Sequence, residues 1–328
     1  MPTRYARKNN GYLKSSSHAG RKAAPTGTDA DLNVIQLSAL FTDEDAARAF
    51  LEAKLWPDGT VCPHCGLVGE AYKLTGKPGS KSPVRPGVWK CKGCRKQFTV
   101  RVGTIFEDSH IPLCKWLAAL HLMTSGKKGI SSLQIARELD ITHKSAWFLT
   151  HRIREAMTSK GNGLLGMGGK TVEADECYVG GKPRQGGPPA KRGRGTSKTP
   201  VAILVERDGD VRATPVEQVD AKTLKSEIRK HVCPSAKIVS DDFGAYTGIG
   251  SEFAGGHSVV NHSAKQYVNS EGEHSNTAES FIALIKRGHY GTFHQLSKQH
   301  LFRYVNEFGF RWDNRKTSDG ERMVKAID

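Results

Sequence analysis

Two Cys-x-x-Cys pairs, Cys62/Cys65 in CPHCG and Cys91/Cys94 in CKGCR, stand 25 residues apart, and no other feature of the chain restricts its fold as tightly. Four thiolates in two such pairs converge on a single tetrahedral ion, and the flanking VWK and QFTVRVGTIF read as strands, so the spacing predicts a zinc ribbon. Four sulfur ligands leave no open coordination position, which makes the Zn2+ structural rather than catalytic. The spacer is longer than usual because it holds TGKPGSKSPVRPG, read as an inserted basic loop. His64, inside the first knuckle, is the alternative ligand. Cys114, Cys177 and Cys233 stand alone, and the odd total of seven fits a reducing compartment better than a disulfide framework.

With 328 residues the chain has room for two or three domains, and 49 Lys and Arg against 33 Asp and Glu give a formal charge of +16. That excess suits an extended polyanion, most simply double-stranded DNA, with an anionic membrane as the competing partner. No run of about 18 apolar residues and no signal-peptide core is found, so a soluble, cytoplasmic protein is expected. The first 28 residues or so hold Arg4, Arg7, Lys8, Lys14, Arg21 and Lys22 with no acid before Asp29. They read as a flexible basic arm, which the domain division takes as 1–40.

Beyond the arm, Thr42 and Asp45 form a capping-box-like helix start; Ala46, Ala47, Phe50, Leu51 and Leu55 continue at helical spacing, and Pro57 stops the helix. This bracing helix and the ribbon make up 41–106. Three helices follow in 107–160. LCKWLAALHLMTSG is amphipathic, SSLQIARELD packs Leu133, Ile135, Ala136 and Leu139, and HKSAWFLTHRIREAM packs Ala146, Trp147, Leu149, Ile153 and Met157. The last two read as a helix-turn-helix that leaves His143, Lys144, Ser145, Thr150, His151 and Arg154 for a DNA groove. The competing reading is an ordinary helical bundle.

After the linker GNGLLGMGG, residues 161–328 change to strands and helices: strands at 171–179, 201–206, 211–215 and 237–240, a helix over 221–232 and another over 276–287. Three antiparallel strands followed by alternating helix and strand is the order of a ribonuclease H-like α/β sheet. Between the first two strands, 182–198 holds six Lys or Arg and no acid; this loop, with Lys191, Arg192 and Arg194, is a candidate phosphate-contacting arm.

Acids interrupt this pattern where strands should be apolar. VEADECYVGG sets Asp175 among Val172, Ala174, Cys177 and Val179, and a buried carboxylate needs a neutralising partner such as a metal ion. KIVSDDFGAY runs a short strand into Asp241 and Asp242. In HSNTAESFIALIKRG, Asn276, Glu279 and Lys286 share one helical face. Two strand acids and one helix oxygen can converge on a pair of Mg2+ ions suited to phosphoryl chemistry. Glu173 shares Asp175's strand face and ranks below it. Asn276 is either a metal ligand or an N-cap, with Glu279 the preferred ligand.

The segments LWPDGTVCPHCG, WKCKGCRKQFTVRVGTIFEDSHIPLCKWLAAL, ADECYVGGK, VSDDFGAY and HSNTAESFIALIKRGHYGTFHQLSKQHLFRYVNEFGFRWDNR resemble bacterial insertion-sequence transposases that pair an N-terminal zinc ribbon with an ISXO-like catalytic domain. The resemblance covers about 40–315. It implies a ribonuclease H-like fold and DNA cleavage and strand transfer at a DD(N/E)K site. Matched residue by residue, the first acid is Asp175, the second Asp241 with Tyr246 five residues on, and the helix supplies Asn276, Glu279 and Lys286, with Arg287 beside it on the DNA side. The expected partners are the element's terminal inverted repeats, target DNA and further copies of the chain. The alternative is a catalytically silent DNA-binding regulator derived from a transposase.

Overall fold

The computed structural model describes residues 37–76, 83–158, 163–180, 196, 198–261, 268–269 and 272–327. The basic arm up to residue 36 and the segment holding Lys191, Arg192 and Arg194 lie outside the described residues. No described helix is long and apolar enough to cross a membrane.

The first described residue, Leu37, is fully buried, ahead of α1 (Ser38–Thr42) and α2 (Glu44–Leu55). The start of α2 differs from the expected Thr42 cap. Thr42 closes α1, donating its hydroxyl to the Ser38 carbonyl at 3.1 Å, while the Asp43 carboxylate accepts from the Asp45 N–H at 2.8 Å. The helix ends at Leu55 because Trp56 precedes Pro57 and is pushed out of the α region, to φ −131 and ψ 57. A three-stranded antiparallel ribbon follows, β1 (Ala71–Lys73), β2 (Trp89–Cys91) and β3 (Gln97–Phe98), in that order. Helix α2 braces it: Trp56 meets Trp89 and Phe98 edge-on at 6.0 and 5.9 Å, and Trp89 Nε1 donates to Glu52 at 3.0 Å.

Helix α3 (Leu113–Ser125) is buried on nearly every side and stops at Gly126. Then come α4 (Ser132–Glu138) and α5 (His143–Ala156), whose first turns are capped by Ser131 and Thr142, accepting from Gln134 N and Ser145 N. Between them Asp140 takes φ 47 to turn the chain. The expected pair is present, with two differences in facing: Leu133 and Trp147 are 55% and 40% exposed, not packed. Helix α9 (Asp319–Lys325), started by a full Ser318/Glu321 capping box, returns to this layer. Met323, Ala326 and Ile327 share a core with Leu37, Leu51, Trp116 and Ile153. The expected boundaries at 40 and 161 are therefore not borders of packing, since both ends of the described chain close the helical core.

The second part is a five-stranded sheet with spatial order β6-β5-β4-β7-β8. Its strands are β4 (Thr171–Val179), β5 (Thr199–Glu206), β6 (Val211–Pro215), β7 (Lys237–Asp241) and β8 (His257–Val260). The first three pair antiparallel; β7 and β8 join in parallel after the crossover helix α6 (Ala221–His231). This is the strand-strand-strand-helix-strand order read from the sequence. Strand parity divides the faces. Val172, Ala174 and Leu204 pack with Leu224 and Ile228 of α6. Cys177, Val179 and Ile203 pack with Phe281 and Ile285 of α7 (Asn276–Gly288) and Phe308 of α8 (Leu301–Asp313). Some elements were not read from the sequence. Strand β8 is four residues long and α9 seven, too short for a clear period, whereas α8 carries a helical stripe of Leu301, Val305, Phe308 and Trp312 that the sequence did offer.

Candidate active site and metal centre

The odd residues of β4 face α7, so Glu173, Asp175 and Cys177 point to one side. The parallel register pairs Ala174 with Ser240, which makes Asp175 and Asp241 the next neighbours, on strands about 4.8 Å apart. Both stand on the helix-covered face. Asp175 Oδ1 accepts from its neighbour Glu176 N–H at 2.7 Å, and Asp241 Oδ1 from Phe243 N–H at 3.2 Å. Burial, with the charges of Glu176, Asp241 and Glu279 added, raises the Asp175 carboxyl to about 7 against one opposing N–H. Asp241 and Glu279 are thus within its electrostatic reach. Cys177 is pushed up to about 12, chiefly by burial, with Lys286 the opposing charge. Glu279 and Lys286 therefore lie along β4, one near Asp175 and one near Cys177.

Glu173 has a different part. Its carboxylate, fully buried, accepts from Thr277 N at 2.8 Å, Thr277 Oγ1 at 2.9 Å and Ala278 N at 2.9 Å. Arg207 donates to it at 2.8 Å. An acid from a strand thus satisfies the free N–H groups at the start of α7 and lies at the positive end of its dipole. Asn276 is the first helical residue, not the cap; Ser275 holds the cap position without a side-chain cap bond. The N-cap reading of Asn276 is corrected accordingly. Asn276, Glu279, Lys286 and Arg287 are all exposed. Tyr246 is buried, and its hydroxyl donates to Glu176 at 3.1 Å. Sequence reasoning missed Arg207 and underrated Glu173. The available signal was a second acid on the buried strand's helix-facing side.

In the ribbon, Cys62 Sγ lies 3.6 Å from Cys94 Sγ and Cys65 Sγ 3.7 Å from Cys91 Sγ. A tetrahedron with metal–sulfur bonds of about 2.3 Å has edges of about 3.8 Å, so the spacing fits zinc. Burial pushes the Cys62 thiol up, yet the backbone N–H groups of His64 and Cys65 outweigh it and bring it to about 6. The four thiols complete the set, leaving His64 out; its Nε2 lies 3.3 Å from the Gln97 carbonyl. Among the described residues this is the one group of three or more His, Cys, Asp or Glu with all ligand atoms within 4.8 Å of one another; Asp175, Asp241 and Glu279 are neighbours at longer range.

The expected groove face of α5 is only partly available. His143 and Lys144 are exposed, while Ser145 shares a 2.9 Å contact with the capping Thr142 hydroxyl. Thr150, His151 and Arg154 are buried, which corrects their assignment to a DNA groove. Arg154 lies eight residues after buried Ala146, on the same helical face. It donates to Glu307 of α8 at 2.6 Å and stacks on Tyr304, 4.2 Å from the ring centre. Arg311 completes this buried cluster, reaching Glu307 at 2.5 Å and the Met123 carbonyl at 2.6 and 2.7 Å.

Residues 164–313 match the ISXO2-like transposase domain, and residues 42–97 match the transposase zinc-ribbon domain. A relative from Halobacterium salinarum, described as an uncharacterized protein in transposable element ISH50, is 28% identical over 308 residues, covering 88% of this chain and 96% of its own. Among solved structures, the Mos1 transposase paired-end complex with left transposon end aligns over 64% of this chain and 74% of that one, at 14% identity and a TM-score of 0.27. The mariner Mos1 paired end complex with Mg aligns over 64% and 77%, at 15% identity and 0.25.

Proposed function

We propose that this chain, whose residues 164–313 match the ISXO2-like transposase domain and 42–97 the transposase zinc ribbon, binds the ends of an insertion sequence and carries out metal-dependent DNA cleavage and strand transfer. One observation supports this above the rest: the register of β4 and β7 sets Asp175 beside Asp241 on the face covered by α7. An acid-rich pocket that raises a carboxyl to about 7 through burial and like charge is the donor set a hard divalent cation neutralises. Asp175, Asp241 and a side-chain oxygen of Glu279 or Asn276 would hold two Mg2+ ions. Bound there, Mg2+ supplies Lewis-acid stabilisation of the attacking and leaving oxygens of a phosphodiester.

The chain's own residues have separable tasks. Lys286 sets a cation on the exposed face of α7 to orient a phosphate, with Arg287 beside it. Glu173 holds the start of α7 and so fixes where Glu279 stands. Zn2+ at the four cysteines keeps the ribbon folded, and the ribbon with Lys144 and Ser145 of α5 faces double-stranded DNA at the element ends. Lys191, Arg192 and Arg194 add phosphate contacts, and copies of the chain assemble on the DNA. Calorimetric titration of Mn2+ into the zinc-loaded protein tests the metal reading. Wild type is expected to bind, and Asp175→Asn and Asp241→Asn to lose that binding while remaining folded. Wild type and variants giving the same isotherm would overturn it.

A further inference from the structure

A cleft of 940 Å³ opens between α5, the far ends of β4 and β5, and the segment joining α7 to α8. Its size is at the upper end of small-molecule pockets, about 300–1,000 Å³, which leaves room for a nucleotide. The lining includes Trp147 and His151 of α5, His289 and Tyr290 just past α7, Tyr304 of α8, and Lys198 leading into β5. The cleft lies along the same strand and helix as the acids, roughly 16 Å down β4 from Asp175 at the strand rise per residue. Gly180, on its rim, lies five residues along β4 from Asp175, and His289 lies three residues beyond Lys286.

The lining marks this as a surface for flat rings. Trp147 and Tyr290 are 40% and 59% exposed, so both leave large aromatic area open to solvent in one concavity. Buried imidazoles back them, the His151 ring 4.1 Å from Trp147 and the His289 ring 5.0 Å from Tyr290. Lys198, also in the lining, supplies a cation for a phosphate.

We propose that this cleft takes an unstacked base of a DNA single strand that also passes the acids, with Trp147 and Tyr290 as stacking surfaces and Lys198 toward a phosphate. The path past the acids rests on the catalytic reading above, whereas the binding itself does not. Drawing a base out of the duplex costs a few kcal/mol of stacking and pairing, which an aromatic platform offsets.

The test is fluorescence anisotropy of the full zinc-loaded chain, without Mg2+, against a labelled oligothymidylate about 12 nucleotides long, within the site sizes of stacking platforms, and against a duplex of equal length. Tyr290→Ala is expected to weaken single-strand binding about tenfold, with Tyr290→Phe restoring it. Duplex affinity and thermal midpoint should stay as in wild type, and Trp147→Ala should weaken the single strand in the same way. Unchanged single-strand affinity in both alanine variants, or equal loss for duplex and single strand, would overturn the proposal. Mn2+ titration of the wild-type protein reads the metal site without DNA, so a failure of the metal site and a failure of the cleft are read separately.

Discussion

Asp175 and Glu173 sit two residues apart on the same strand face, yet their surroundings give them opposite energetics. Glu173 is matched by Arg207 and by the N–H groups opening α7, whereas Asp175 faces Glu176, Asp241 and Glu279. The folded-state value of Asp175, about 7, stands above its ordinary 3.8, so the folded protein holds that proton more tightly. The stability this gives is full below about pH 3.8 and is lost as pH rises through 7. Denaturant unfolding without Mg2+ should find Asp175→Asn more stable than wild type at pH 8 and the difference gone at pH 4. Glu173→Gln should cost about 1.5–3 kcal/mol at pH 8, the range for hydrogen bonds to a charged group. Equal stability of the three proteins at pH 8 would contradict both assignments. The sequence carried the two acids and their common face, but not the partners that separate them, because Arg207 and Thr277 reach Glu173 from 34 and 104 residues away.

The choice between Asn276 and Glu279 belongs at the same scale. With the Asn276 cap reading removed, both are first-turn residues of α7, and the Glu279 charge lies within electrostatic reach of Asp175. In a Mg2+ titration of DNA cleavage, Glu279→Gln should need more Mg2+ to reach half its maximal rate, and Asn276→Ala should be less affected. A folded Asn276→Ala protein inactive at every Mg2+ concentration, beside a normal Glu279→Gln protein, would reverse that order.

Elements with strong local signals were legible; those defined by distant partners were not. The two cysteine pairs fix the ribbon, because the spacing itself dictates the tetrahedral meeting of the thiols. The strands at 171–179 and 211–215 and helix α7 follow from apolar runs and turn residues. Helix α5 was placed correctly and faced partly wrongly. Its buried stripe includes Arg154, whose partner Glu307 lies 153 residues on, and an arginine without a visible partner reads as exposed. The ribbon gives the element-scale prediction. Structural zinc is worth about 10–16 kcal/mol in small modules, so Cys91→Ala should lose one zinc per chain and open residues 56–106 to proteolysis. The sheet should keep its protection. Full zinc content in Cys91→Ala would contradict the four-thiolate centre.

Across the whole molecule, the helical layer and the sheet are joined through α8 and α9. Glu307 sits fully buried between Arg154 and Arg311, and Met323 of α9 fills the core built by Leu51 and Trp116. Neither link is visible in sequence, since each joins residues more than 150 positions apart. Removing one member of a buried ionic cluster leaves the others uncompensated, so Glu307→Ala should destabilise by about 3–5 kcal/mol. Met323→Ala should cost about 2–5 kcal/mol through the cavity it opens. Equilibrium unfolding measures both, and wild-type stability in Glu307→Ala would show that the cluster does not tie the two parts together.

The central claim concerns the whole molecule acting on DNA, and its most direct measurement is Mg2+-dependent nicking of DNA that carries the sequence flanking the gene, where the proposed function expects terminal inverted repeats. Wild-type protein should nick at the repeat ends with Mg2+ and not without it, while folded, zinc-loaded Asp175→Asn and Asp241→Asn proteins should bind the same DNA and leave it intact. Nicking by either variant at the wild-type rate, or nicking by wild type that is indifferent to Mg2+, would contradict a metal-dependent site built on these two carboxylates.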